Sequence, residues 1–270
     1  MRMADLMSAD VLPSVRIPTL AGVRSVLWHL AGEYPASLVA AQERDIPRVT
    51  YHVRLALCYA PPYPTICDVG GGISLFSLAV AALGYPSVLV GDFGDRSCVN
   101  IHSSALQLHR RYGVKVISRD MATEGINLPS ESADVITSFS ATGCFHNGPN
   151  RCFRQFVEVL RPGGILVLCG PNGAGLRERL AIPSRIDSCT NGKSAQAIDV
   201  SFTEEPGLLH LRAVCRDFGL QMLKVAGRNW QSRYSSNLLT RFAVRYAGWA
   251  LQRFPCACSD VYVVARKPLR

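Results

Sequence analysis

The residues best placed to do chemistry are one acid and three glycines within a ten-residue stretch, Thr65-Ile-Cys-Asp68-Val-Gly70-Gly71-Gly72-Ile-Ser74. Ile66 and Val69 give the start of this stretch the character of a short buried strand. The glycines let the chain turn sharply and approach a ligand closely, because no Cβ stands in the way. Two ligand classes compete for such a turn. A dinucleotide fingerprint requires Gly-x-Gly-x-x-Gly; Gly70 and Gly72 fit, but Leu75 occupies the third glycine's place. Asp68, two residues before the first glycine, would repel a pyrophosphate and suits a ligand with a cationic or hydroxyl-bearing end. A second acid, Asp92, lies 24 positions later, at the end of the apolar run Ser87-Val-Leu-Val-Gly-Asp92. A carboxylate at the tip of that strand accepts both ribose hydroxyls of a nucleoside. It points to a nucleoside-bearing ligand and leaves both classes open, with Asp95 as the fallback if the strand ends later.

These residues need elements to hold them. Ser74 caps a helix over 75–83 that Gly84 stops. The pattern then predicts a strand at 87–92, a helix near 97–111 and strands at 114–118 and 132–140. A polar and aromatic loop, Ala141 to Asn147, leaves the fourth strand. An amphipathic helix follows over 151–160, with Phe153, Phe156, Val157 and Leu160 on one face. Strand 165–169, a helix from Phe202 to about Asp217 and strands at 220–225 and 260–265 complete the run. Alternating strands and helices specify an α/β fold with a mostly parallel sheet. Ahead of it, helices are expected at 21–31, 36–45 and 47–59, with Pro47 in the first turn of the third. Their histidines, His29 and His52, read as structural.

Asp68-Val-Gly-Gly-Gly resembles motif I of the class I S-adenosylmethionine-dependent methyltransferases. Glu158-Val-Leu-Arg-Pro-Gly-Gly-Ile-Leu-Val-Leu is similar to the helix–turn–strand signature of the same family, and Asp92 and Asp120 fall between the two in the family's order. The resemblance implies a doubly wound, seven-stranded, mostly parallel sheet with helices on both faces and an antiparallel last strand. It divides the chain into an N-terminal helical cap at 1–60 and a methyltransferase domain at 61–270. It implies S-adenosylmethionine as cofactor, held by Asp68, Gly70, Gly71, Gly72, Asp92, Phe93, Asp120, Met121 and Ser138. Within that set, Asp120 is to meet the adenine amino group and Met121 to pack on the ring. A looser similarity links the chain to bacterial methyltransferases of surface-polysaccharide pathways. It rests on Pro171-Asn172 followed by Leu176-Arg-Glu-Arg-Leu180, on Arg228-Asn229-Trp230, and on the final Ala265-Arg-Lys-Pro268.

A hydroxyl acceptor needs a base as well as alignment. His146, in the loop after the fourth strand, is the candidate, with Asn147 beside it to orient the acceptor. No Asn/Asp-Pro-Pro-Tyr/Phe element follows that strand, which argues against methylation of base amines or glutamine amides. Pro61-Pro62-Tyr63 precedes the first strand and does not supply it, and Cys144 lacks a preceding proline. The resulting expectation is O-methylation of a small molecule or a sugar or glycan, including lipid-linked acceptors. The alternatives are a non-catalytic or partner-activated S-adenosylmethionine-binding module and an NAD-dependent reductase.

Composition bounds the rest. With 270 residues, 48% of them hydrophobic and 18% charged, the chain can bury a full core. No apolar tract reaches the ~20 residues of a membrane span, and no secretory signal is expected. The ten cysteines are scattered without a Cys-x-x-Cys pair, which fits reduced thiols in the cytoplasm and gives no metal site. The formal charge is +9, and from residue 221 onward nine bases face one acid, Asp260. About thirty residues, 227–258, replace the short hairpin expected between the last two strands, and interleave aromatics with arginines. Such a basic amphipathic insert packs on the core or on a second copy, or lies on a membrane surface, in which case the protein sits at the inner membrane's cytoplasmic face. No nucleic-acid-binding module is recognisable.

Overall fold

The computed structural model describes residues 18–93, 99–119, 124–139, 149–172, 208–230 and 252–269. Seven strands form one sheet: β1 (Ile66–Val69), β2 (Ser87–Gly91), β3 (Lys115–Ser118), β4 (Ala133–Phe139), β5 (Leu160–Pro171), β6 (Gln221–Arg228) and β7 (Asp260–Arg266). Their order is β3-β2-β1-β4-β5-β7-β6. Strands β1 to β5 run parallel, and β7 lies antiparallel between β5 and β6. All four residues of β1 are buried, as a strand covered on both faces requires. The chain leaves β1 for β2 on one side and returns to β4 on the other. The carboxyl ends of β1 and β4 therefore form the switch point at which an open α/β sheet binds ligands.

Helices cover both faces. On one, α1 (Leu20–Gly32), α2 (Ala36–Tyr59) and α3 (Leu75–Ala82) share a core with Ile66, Val135, Ile165, Val167 and Tyr262. On the other, α5 (Pro149–Val159) and α6 (Leu208–Asp217) pack Phe153, Phe156, Leu211 and Val214 against Cys67, Ile136 and Leu166. The alternation along β1, β4 and β5 sorts these residues between the two faces. Helix α4 (Val99–Arg111) adds Ala105 and Leu108 to the first core, and its Leu106 meets Leu89 and Val114.

Two expectations need correction. The second and third N-terminal helices are one, with Pro47 inside it. Pro47 is exposed, so the carbonyl that loses its intrahelical partner there has water at hand, while Ile46, Val49 and Val53 anchor both sides of the proline in the core. Strand β5 also begins earlier than expected. Its pairing jumps from Ala133–Leu160 to Val135–Ile165, which takes up the Arg161-Pro-Gly-Gly turn as an irregularity. Gly163 adopts φ 76°, and a Cβ on Gly164 would stand 2.8 Å from the Arg161 carbonyl oxygen. Asp134 Oδ2 ties the turn to the start of β1 by accepting from Arg161 Nη1 at 2.6 Å and from the Thr65 N–H at 2.8 Å. Lys267 Nζ donates to the carbonyls of Val157 and Leu160, both at 2.7 Å, and so satisfies the open end of α5.

Candidate functional site

The turn after β1 carries the features its sequence demands. Gly70 and Gly72 adopt φ 73° and 61°, a region that favours glycine. The Gly70 N–H donates to the Val90 carbonyl at 2.8 Å and so binds the turn to the end of β2. Ser74 Oγ accepts from the Phe76 N–H and caps α3. Gly71 is glycine for lack of space: a Cβ there would lie 2.1 Å from Asp68 Oδ2. The Asp68 carboxyl is thus packed directly against the turn, 1% exposed. Its Oδ1 accepts from Thr137 Oγ1 at 2.9 Å, and its Oδ2 has no hydrogen-bond partner among the described residues. Burial pushes its pKa up to about 7, against the opposing hydrogen bond from Thr137. An orphaned carboxylate oxygen beneath a turn without side chains suits a ligand with a cationic group above it, and fits the amino acid end of S-adenosylmethionine.

Register brings the other candidates to the same edge. Asp68 lies beside Thr137 of β4 and Leu89 of β2. Asp92 follows Gly91 at the end of β2 and is exposed. Phe93 is half-buried and folds back over Gly91, where a Cβ would meet its ring at 3.1 Å. Ser138 is 2% exposed near the end of β4. Asp120, Met121, His146 and Asn147 lie outside the described residues.

At the other half of this edge the structure assembles residues that sequence reasoning did not join. His52 of α2 stacks on Phe139 of β4, with ring centroids 3.9 Å apart and planes 7° from parallel. Its Nε2 lies 3.0 Å from the Tyr262 hydroxyl of β7. That hydroxyl also accepts the Trp230 indole N–H at 2.7 Å. Burial, reinforced by Arg48, holds the His52 imidazole well below its usual range, so it is a neutral structural ring. Tyr51 meets Tyr262 edge-on at 5.0 Å, and Arg228 places its guanidinium carbon 4.5 Å from the Tyr51 ring centre. The Pro-Asn and Arg-Asn-Trp motifs meet here too. Asn172 Nδ2 donates to the carbonyls of Cys256 and Cys258, and Asn229 Oδ1 accepts from the Ser259 N–H. Both asparagines thus clamp the short segment that leads into β7. The signal was present as two isolated motifs; their shared target was not.

An open cleft of about 820 Å³ lies between α6 and the start of β6, beside Arg212, Arg216 and Met222. It opens at the amino end of the parallel strands and contains none of the groups described above. Residues 67–168 match the family model described as a methyltransferase domain. The match takes in under half of this chain. Its fold is that of the class I S-adenosylmethionine-dependent methyltransferases, as solved structures show. The S-adenosylmethionine-dependent methyltransferase of Mesorhizobium loti is similar with a TM-score of 0.51 and 17% identity, over 83% of this chain and 97% of that one. A S-adenosylmethionine-dependent methyltransferase from Archaeoglobus fulgidus gives 0.52 and 15%, over 83% and 94%. The [4+2]-cyclase SpnF gives 0.51 and 18%, over 95% and 99%. At these identities the likeness carries the fold alone. A curated relative, the UDP-N-acetylmuramate–L-alanine ligase of Saccharopolyspora erythraea, is 31% identical over 150 residues. That match takes in 52% of this chain and 29% of the relative, so it spans under a third of that protein's length. Among the described residues, no helix is long and apolar enough to cross a membrane.

Proposed function

We propose that this chain transfers the methyl group of S-adenosylmethionine to a hydroxyl of a small molecule or a sugar-bearing acceptor, lipid-linked acceptors included. The observation that carries the cofactor assignment is the buried Asp68 carboxyl, with one oxygen unpartnered among the described residues, directly beneath a turn that has no room for a side chain at Gly71. In this reading Gly70, Gly71 and Gly72 receive the amino acid end of the cofactor and Asp92 the ribose hydroxyls. Phe93, Asp120, Met121 and Ser138 line the adenine side. The cofactor supplies a methyl already activated on sulfonium, so the protein's work is to align the acceptor and exclude water. The His146 imidazole takes the acceptor's hydroxyl proton. Support for a hydroxyl-rich ring comes from the opposite half of the edge. There, half-buried Tyr51 and Trp230 lie beside Arg228, and the buried Asn172 Oδ1 has no hydrogen-bond partner among the described residues. The insert at 227–258 would then meet a membrane surface or a second copy of the chain. The test is methyl transfer from labelled S-adenosylmethionine to a panel of sugars and phenols. His146→Gln is expected to lower turnover by a factor of roughly 10² or more while S-adenosylhomocysteine affinity stays unchanged. Equal turnover in the variant removes His146 from the mechanism.

A further inference from the structure

The glycine turn is also held from outside the region that matches the methyltransferase family. Two successive carbonyls close the turn, those of Ile73 and Ser74, and side chains from other elements bind both. Tyr34, in the connection between α1 and α2, donates its hydroxyl to Ile73 O at 3.0 Å. Gln42, in the first turns of α2, donates Nε2 to the same oxygen at 3.4 Å. His109 of α4 brings Nε2 to 3.2 Å from Ser74 O, while its Nδ1 lies 2.8 Å from Ala105 O. The Tyr34 and His109 rings meet edge-on, 6.1 Å apart, and Tyr34 is 4% exposed. The neighbouring Glu33 pairs with Arg111 and accepts from the Tyr112 hydroxyl, so the α1–α2 connection is pinned to the end of α4 as well.

A turn with Gly70, Gly71 and Gly72 in succession has more backbone freedom to lose than any other. Its N–H groups serve a ligand well only if their directions are fixed before binding. We propose that Tyr34 and Gln42 are positioning residues of the cofactor turn: by holding one carbonyl oxygen, Ile73 O, they fix the turn's shape before S-adenosylmethionine arrives. The N-terminal helices are then part of the cofactor site in addition to any covering role. This rests on the cofactor reading above and goes beyond it.

The experiment uses the full chain and three variants, Tyr34→Phe, Gln42→Leu and, as a control, Leu27→Ala. Leu27 is fully buried in α1, in the same core as Tyr34, and is a partner in none of these hydrogen bonds. Binding of S-adenosylhomocysteine is measured by calorimetry, and amide hydrogen exchange at 70–73 is measured without ligand. The expected result is a five- to tenfold weaker affinity for Tyr34→Phe, the loss typical of one hydrogen bond. A smaller loss is expected for Gln42→Leu, whose bond is longer. Exchange at 70–73 should quicken in both, while that of β1 and β4 stays as in the parent. Leu27→Ala should unfold more easily yet bind within twofold of the parent. With turnover in hand, KM for S-adenosylmethionine should rise in Tyr34→Phe at constant kcat. Affinities and exchange within twofold of the parent in both turn variants overturn the proposal, as does an equal loss of affinity in Leu27→Ala. If the parent itself binds no S-adenosylhomocysteine, the cofactor reading fails, and the ligand-free exchange at 70–73 still decides whether Tyr34 and Gln42 hold the turn.

Discussion

At one half of the sheet's carboxyl edge, residues 68–74 supply a carboxylate, a turn and a helix cap from seven consecutive positions. At the other half, Tyr51, Phe139, Cys169, Arg228, Trp230 and Tyr262 arrive from α2, four strands and the residues after β6, and meet only because of the sheet order. The first half is a local device: a strand end and a helix start made adjacent by glycine. The second is a tertiary device, in which one buried hydroxyl, that of Tyr262, joins α2 to the residues after β6. In the function proposed above, the cofactor would be held by that one short motif, and the acceptor would meet the surface built beside β5, β7 and β6. The halves should therefore respond separately to substitution.

The largest effect expected is from Gly71→Ala. Its Cβ would need the space of Asp68 Oδ2, so the carboxyl or the turn must move. Loss of S-adenosylhomocysteine affinity by a factor of roughly 100 and a destabilisation of about 2–4 kcal/mol are expected, from titration and urea unfolding. An affinity within threefold of the parent would mean that the turn is not where the cofactor sits.

Asp68→Asn tests the electrostatic part. The folded chain holds the Asp68 proton more tightly than the unfolded chain does, because burial raises its pKa from 3.8 to about 7. The stability tied to this group is thus fully present below about pH 4 and is lost as pH rises through about 7. The conversion sets an upper bound of roughly 4 kcal/mol. The variant should match the parent near pH 4, and at pH 8, where the parent's carboxyl is ionised, it should be more stable and bind S-adenosylhomocysteine more weakly. A parallel pH course for the two proteins would refute the buried, half-protonated carboxyl.

Tyr262→Phe sharpens the comparison from the other side. It leaves the Trp230 indole N–H without its acceptor and removes the contact to His52, at a cost of about 1–3 kcal/mol. Cofactor affinity should not change; a tenfold loss would show that the two halves are one unit. The smallest effect belongs to Gly72→Ala. A Cβ there meets nothing within 4 Å, so only the positive φ of 61° opposes it, at about 1–2 kcal/mol. An effect as large as that of Gly71→Ala would contradict the distinction between a glycine needed for space and one needed for conformation.

The same contrast explains what could be read from the chain beforehand. The glycine turns were legible because their determinants are neighbours: Gly70 and Gly72 take the positive φ, Ser74 caps α3, and the Pro-Gly-Gly turn within β5 has no room for a side chain at Gly164. The mostly parallel sheet followed from the alternation of strands and helices, whereas the antiparallel β7 followed only from the resemblance to the methyltransferase family. Pro47 misled because a helix-start rule is local, whereas Ile46, Val49 and Val53 hold one continuous helix through tertiary packing. The space constraint at Gly71 depends on the rotamer of Asp68, and the Tyr34 and Gln42 bonds span 39 and 31 positions, so neither leaves a local pattern. The cluster around Tyr262 was illegible for the same reason, since His52 lies 210 positions away from it.

The most direct test of the central claim is calorimetric titration of the whole chain with S-adenosylhomocysteine and then with NAD. The account predicts micromolar binding of the first, abolished by Asp92→Ala, and no binding of the second. Tighter binding of NAD, or unchanged S-adenosylhomocysteine affinity in Asp92→Ala, would contradict the assignment of the site.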